Sequence, residues 1–363
     1  METPQRTIFP GCRKTPGLSS KTDRKTPLPQ MHARPKETAE QRARRHAEEQ
    51  PKAEVLRAAR DAVLSADESN TSNEKLLELT SSLCEANPDA YTAFNMRRSI
   101  FLQQEPSSLD MPSELSFSLR TLYRQPKAYP AWLHRRWLLH HAHMNSHYCE
   151  QPDFQNELSL CSKLLSRDMR NMHCWAYRRF VCSLSGRSLE SELQWVLQRI
   201  HDHLGNYSAW HYRSQLVKQL HCKHCCDQPA YTCTEAAHPG VKLSPSALSA
   251  EFDLINEGTF TDPSDQSPWL YHRSMEELAD ASNPETIAVL EAQAGRVREL
   301  LKLEPESKWT MLTLARLLER IYGSCDEAVE LYEKLKQVDP ARRGDFDDMQ
   351  KRLREGQGSR RVT

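Results

Sequence analysis

Apolar residues recur along this chain at helical intervals, in short runs broken by prolines and polar turns. Leu56, Ala59 and Val63 fall three and four residues apart, the mark of an amphipathic helix. Further on the period returns in paired segments. Ser113 is placed to cap a helix that carries Leu115, Leu119 and Leu122 on one face. Pro126 disfavours a helical conformation at Gln125 and ends that helix. A second helix then opens with Pro130 in its first turn, where the missing N–H costs nothing. It sets Tyr129, Trp132, Arg136 and Leu139 at helical spacing. No such hairpin can bury its apolar face alone, so neighbours must stack against it.

The pairs repeat. Aligning on an aromatic followed by arginine gives YTAFNMRR (91–98), YPAWLHRR (129–136), MHCWAYRR (172–179), YSAWHYRS (207–214) and QSPWLYHR (266–273), with a weaker unit at SKWTMLTLARLL. The anchors are Phe94, Trp132, Trp175, Trp210, Trp269 and Trp309, separated by 38, 43, 35, 59 and 40 residues. A period near 40 holds two helices and two turns. The expected fold is all-α, an α-α superhelix: a crescent of antiparallel helical hairpins. The tryptophans read as core. The arginines after them read as bridges between repeats through carbonyls and carboxylates, or as a docking surface for a partner chain.

Composition agrees. Eleven glycines in 363 residues is about 3%, against a usual share of roughly 7%. Folds built on hairpin turns or glycine-rich phosphate loops need more. Lysine plus arginine equals aspartate plus glutamate at 49 each, so a general nucleic-acid binder is not indicated. Eleven cysteines are too dispersed and too odd in number for a disulfide scaffold, which points to reduced thiols and a cytoplasmic location. No apolar run is long enough to span a membrane. Residues 1–30 hold five prolines and six basic residues against two acidic ones. They lack a secretory apolar core and are expected to be a disordered extension.

The long spacing of 59 has a visible cause in HCKHCCDQPAYTCTEAAHPGVKLSPSA, read as a loop insertion at about 221–247. Cys222, Cys225, Cys226 and Cys233, with His221, His224 and His238, offer zinc-ligand types there. They make one C-x2-C with no second pair at finger-like distance, so a plain loop is the simplest reading and no metal is assigned to this chain. The phosphate-loop, serine-hydrolase and zinc-protease motifs are all missing. His140, His141 and His143 end a helix, where their charge is favourable.

These units resemble the protein prenyltransferase α-subunit family. NMHCWAYRRFV, NYSAWHYRSQL, TDPSDQSPWLYHR and LEPESKW are similar, in order, to its type II branch, the Rab geranylgeranyl enzymes. The resemblance covers about 31–349, leaving 350–363 as an expected disordered tail. It implies a heterodimer with a β subunit that holds the zinc and most of the isoprenoid pocket. It further implies geranylgeranyl diphosphate as donor and, as acceptors, C-terminal cysteines of Rab GTPases presented by an escort protein. Lys127 and Tyr129, in PKAYPAW, match the family's two active-site residues from this subunit, the lysine facing the diphosphate. Pro130 stands where the α subunit shared by farnesyltransferase and the type I enzyme has a glutamine that reads a substrate carboxylate, which fits the type II branch. That other α subunit, and a non-catalytic adaptor of tetratricopeptide type, are the alternative readings.

Overall fold

A computed structural model describes residues 37–66, 71–103, 110–144, 152–222 and 240–360. Among them are fifteen α-helices and no strand: α1 (Ala39–Ser65), α2 (Asn73–Ala86), α3 (Tyr91–Gln103), α4 (Met111–Arg124), α5 (Tyr129–Met144), α6 (Phe154–Arg167), α7 (Met172–Ser185), α8 (Leu189–Asp202), α9 (Tyr207–Leu220), α10 (Pro245–Thr261), α11 (Gln266–Leu278), α12 (Pro284–Leu303), α13 (Lys308–Tyr322), α14 (Asp326–Val338) and α15 (Arg343–Arg360).

The chain divides into two compact units, residues 1–53 and 54–363. In the first, the described stretch is exposed and highly charged, laced by surface pairs such as Arg44–Glu48 at 3.1 Å. Such pairs add little stability. The second unit is an α-α superhelix of two layers. The anchors ride on α3, α5, α7, α9, α11 and α13, the aromatic layer. Each of these helices packs on its hairpin partner in the facing layer (α2, α4, α6, α8, α10, α12). Within the aromatic layer α3 packs on α5, α5 on α7, α9 on α11 and α11 on α13, while α7 meets α9 through Trp175 against Tyr212. A continuous core runs from Val63 to Leu353.

Polar side chains start the helices. Ser72, Asp153, Asn171, Ser188, Asn206, Ser244, Asp265, Asn283 and Ser307 each accept from a backbone N–H in the first turn, worth about 1 kcal/mol apiece. Helix α4 departs from expectation. It begins at Met111, three residues early, and its cap is Asp110, which accepts from Ser113 N–H. Pro112 fits this start because the first turn needs no N–H from it.

The outer boundaries also shift. Residues 38–53 lack an apolar face and lie outside the compact unit that begins at Glu54. At the other end α15 continues past 349. Phe346, Gln350 and Leu353 are buried, so a single face docks the helix across the expected limit and 350–360 is helix. The expected extension at 1–30 and residues 223–239 of the loop insertion lie outside the described residues.

Candidate active site

The anchors do more than fill space. Phe94, Trp132, Trp175, Trp210 and Trp269 are buried. Each of the four tryptophans donates its indole N–H to the carbonyl six residues earlier: Pro126 (2.8 Å), Met169 (2.9 Å), Leu204 (2.6 Å) and Pro263 (3.0 Å). The ring thus fastens the turn that enters its own helix. Trp309 is half-buried, with Lys308 and Arg342 over its ring.

The arginine three residues after the anchor bridges repeats. Arg97 pairs with Glu114, Arg135 with Glu157, Arg178 with Glu192 and Arg213 with Glu251, each through two N–H···O bonds of 2.5–2.8 Å. In the first three bridges a further N–H reaches back to Leu77, Leu115 or Leu158 carbonyl of the preceding helix. The two-pronged geometry is what a guanidinium offers and an ammonium cannot. The glutamates were missed in sequence because each interrupts an apolar face. Their signal is a register: Glu114, Glu157 and Glu192 are each the fourth residue of their helix.

Lys127 sits in the turn between α4 and α5. Its backbone neighbourhood is unusually fixed. The Pro126 carbonyl accepts from Trp132 Nε1 and also from Asn171 Nδ2 at 2.8 Å, so one donor comes from the same repeat and one from the next. Gln125 Nε2 reaches Asp89 Oδ2 at 2.8 Å on the other side. The Lys127 side chain is 70% exposed, and its Nζ lies 3.0 Å from Asp168 Oδ2. Asp168 ends α6 and its Oδ1 accepts from Arg170 N–H at 3.0 Å. The hydrogen bond from Lys127 is the main reason its carboxyl stays below the usual carboxylate range.

Tyr129 is the first residue of α5 and is exposed. Its ring lies 6.2 Å from Tyr91 and 5.6 Å from His173, centroid to centroid. Tyr129, Leu133, Arg136, His173 and Ala176 line a small cleft of about 70 Å³. Arg136 stacks over Phe180 at 4.7 Å. Lys127 and Tyr129 therefore share one edge of the molecule, at the N-terminus of α5, where the helix dipole favours an anion. Asp168 and His173 were not anticipated. They come from the next repeat, where only the stacking register brings them alongside.

Cys84, Cys161, Cys174, Cys182 and Cys222 are buried and in no disulfide, and burial pushes the Cys84 thiol up to about 12. Among the described residues no group of three or more His, Cys, Asp or Glu side chains could hold a metal ion. Cys225, Cys226, Cys233, His224 and His238 lie outside them. Among the described residues, too, no helix is long and apolar enough to cross a membrane.

The protein prenyltransferase alpha subunit repeat matches residues 73–104, 111–142, 154–185 and 189–220. The chain is 38% identical over 251 residues to the geranylgeranyl transferase type-2 subunit alpha of Mus musculus, covering 67% of this chain and 41% of that protein. The subunit of the same name from Schizosaccharomyces pombe is 29% identical over 354 residues, 89% of this chain and 98% of its own length. That from Dictyostelium discoideum is 27% identical over 275 residues, 74% and 81%. The chain thus spans about two fifths of the length of the mammalian relative.

Proposed function

The chain belongs to the protein prenyltransferase alpha-subunit repeat family, and from that premise we propose that it is the α subunit of a heterodimeric type 2 geranylgeranyl transferase. In this reading it assembles with a β subunit in the cytoplasm. The complex transfers the geranylgeranyl group from its diphosphate to C-terminal cysteines of Rab GTPases, which an escort protein presents.

The observation that carries the reading is Lys127 fixed at the N-terminus of α5. In the transfer a cysteine thiolate attacks C1 of the isoprenoid, the C1–O bond breaks, and negative charge collects on the diphosphate. A pre-placed ammonium stabilises that charge more than it stabilises the ground state. The Pro126 carbonyl bonds hold the backbone of Lys127, and the side chain projects to solvent from a helix end of matching sign. Tyr129 lies on the same edge, placed to contact the isoprenoid or the acceptor. Zinc, which activates a thiol by lowering its pKa, belongs to the β subunit in this reading. The described donor sets of this chain do not fit it, and no step here passes through it.

The test is reconstitution. Co-expression with a type 2 β subunit gives a 1:1 complex that prenylates a Rab protein only with escort protein present. Lys127→Ala leaves the complex intact and lowers turnover roughly 10- to 1000-fold, as loss of a charge-stabilising donor does elsewhere. Unchanged turnover removes Lys127 from the mechanism. Modification of C-a-a-X peptides without an escort protein moves the chain to the farnesyl or type I branch. A chain that ignores every β subunit is an adaptor.

A further inference from the structure

Lys127 is held by its neighbours in a way that its own turn does not require. Each of Trp132, Trp175, Trp210 and Trp269 fastens its own turn with one indole bond. At Lys127 the following repeat adds two more contacts from residues three apart. Asn171, buried at the start of α7, donates to the Pro126 carbonyl. Asp168, at the end of α6, takes the Lys127 ammonium at 3.0 Å. Backbone and side chain of one lysine are thus set by one turn of the next unit.

A lysine stem has four rotatable carbons and its ammonium has no preferred direction. Left alone in solvent it samples many rotamers, and ordering it on an anion costs side-chain entropy. An ammonium carries three N–H donors. With one spent on Asp168 Oδ2, the other two stay available on the exposed side. Asp168 itself cannot wander, because Oδ1 is engaged by Arg170 N–H.

We propose that Asp168 is a positioning residue for the reaction: it holds the Lys127 ammonium at the edge of α5, with two N–H groups directed outward, before the diphosphate arrives. This rests on the reading of Lys127 as the diphosphate-facing cation. The carboxylate stays bonded to the ammonium through the transfer and never touches substrate.

The experiment is a double-mutant cycle in the reconstituted heterodimer, with geranylgeranyl diphosphate, a Rab protein and escort protein. Asp168→Asn keeps the Oδ1 acceptor for Arg170 N–H and removes the charge. It is expected to lower kcat roughly tenfold, less than loss of the ammonium itself, with a smaller change in KM for the diphosphate. Asp168→Glu, which keeps the charge, recovers part of the loss. In a Lys127→Ala background, Asp168→Asn has no further effect, because the residue it positions is gone. Melting of each complex separates folding from chemistry, and Asp168→Ser, which also keeps a turn acceptor, serves if the asparagine variant assembles poorly. A loss of equal factor with and without Lys127 assigns Asp168 to the turn alone and overturns the proposal. So does an unaffected kcat in Asp168→Asn. If Lys127→Ala by itself leaves kcat unchanged, the underlying reading of Lys127 fails, whatever Asp168 does.

Discussion

In the units anchored by Phe94, Trp132, Trp175 and Trp210, the arginine three residues on reaches across to a glutamate of the next facing-layer helix. In the unit anchored by Trp269 that register holds His272. Its partner is Glu276 on the same helix, at 2.7 Å, and the arginine comes from the following aromatic-layer helix, Arg316 at 2.8 Å. The first four bridges tie one layer to the other. The last ties the aromatic layer to itself. The sequence signature follows the same divide: the repeat model matches as far as residue 220, and the anchor beyond Trp269 is a half-buried tryptophan. A repeat here is recognised by an aromatic that fastens a turn and by a cation that reaches forward. Where the cation reaches elsewhere, the pattern fades although the helices still stack.

Substituting anchors from the two regions separates them most widely. Trp210→Ala removes a buried ring and its bond to Leu204, and should cost about 3–5 kcal/mol in denaturant unfolding. Trp309→Ala should cost less than half as much, because its ring is half in solvent. Equal losses would mean that the C-terminal anchor is packed as tightly as the others. The bridges come next. Arg135→Leu leaves Glu157 buried with only the Tyr177 hydroxyl at 2.8 Å, a loss of about 3–5 kcal/mol for a stranded charge. Arg316→Leu leaves Glu276 with His272 still bonded, and the loss should be smaller. If the second variant is the weaker protein, the histidine does not substitute for the guanidinium.

The smallest effect is one of pH. His134 is buried on Glu114 Oε1 at 2.7 Å, and burial keeps its pKa below the ordinary 6.5. The unfolded chain therefore binds a proton near pH 6.5 that the folded chain declines. Stability falls as pH drops from about 6.5 towards the folded value and is level above that range. Burial works to raise the Glu114 carboxyl, but bonds from His134 and Arg97 hold it lower, so its contribution is lost only in stronger acid. Denaturation midpoints at pH 7.5 and 5.5 check this, and His134→Asn should reduce the difference.

The helices, their order and the anchors could be read from spacing alone, because a buried tryptophan every 40 residues leaves few arrangements for two helices per period. Prolines gave the α4–α5 turn for a different, local reason: Pro126 cannot follow a helical residue comfortably. The cap of α4 was misplaced because two polar residues, Asp110 and Ser113, both suit a helix start and only the folded chain chooses between them. The glutamates of the bridges were hidden by their own burial, since a charge on an apolar face reads as an interruption until its partner is seen. Lys127 gained meaning from resemblance, whereas Asp168 lay outside every motif that carried it and Asn171 entered only as the first residue of one. What joins them is the distance between successive turns, which no local pattern encodes.

The forward direction of the bridges matters while the chain is being made. Arg97, Arg135, Arg178 and Arg213 find their carboxylates 17, 22, 14 and 38 residues later. As each hairpin emerges from the ribosome, it packs around a cation whose counter-charge has not been synthesised. Every unit is incomplete until the next arrives. A fragment ending after α7 carries Arg178 without Glu192, whereas one ending after α8 has closed that debt and opened none. Growth therefore proceeds by alternation between open and sealed lengths, and fragments of the sealed lengths are the ones that should remain soluble.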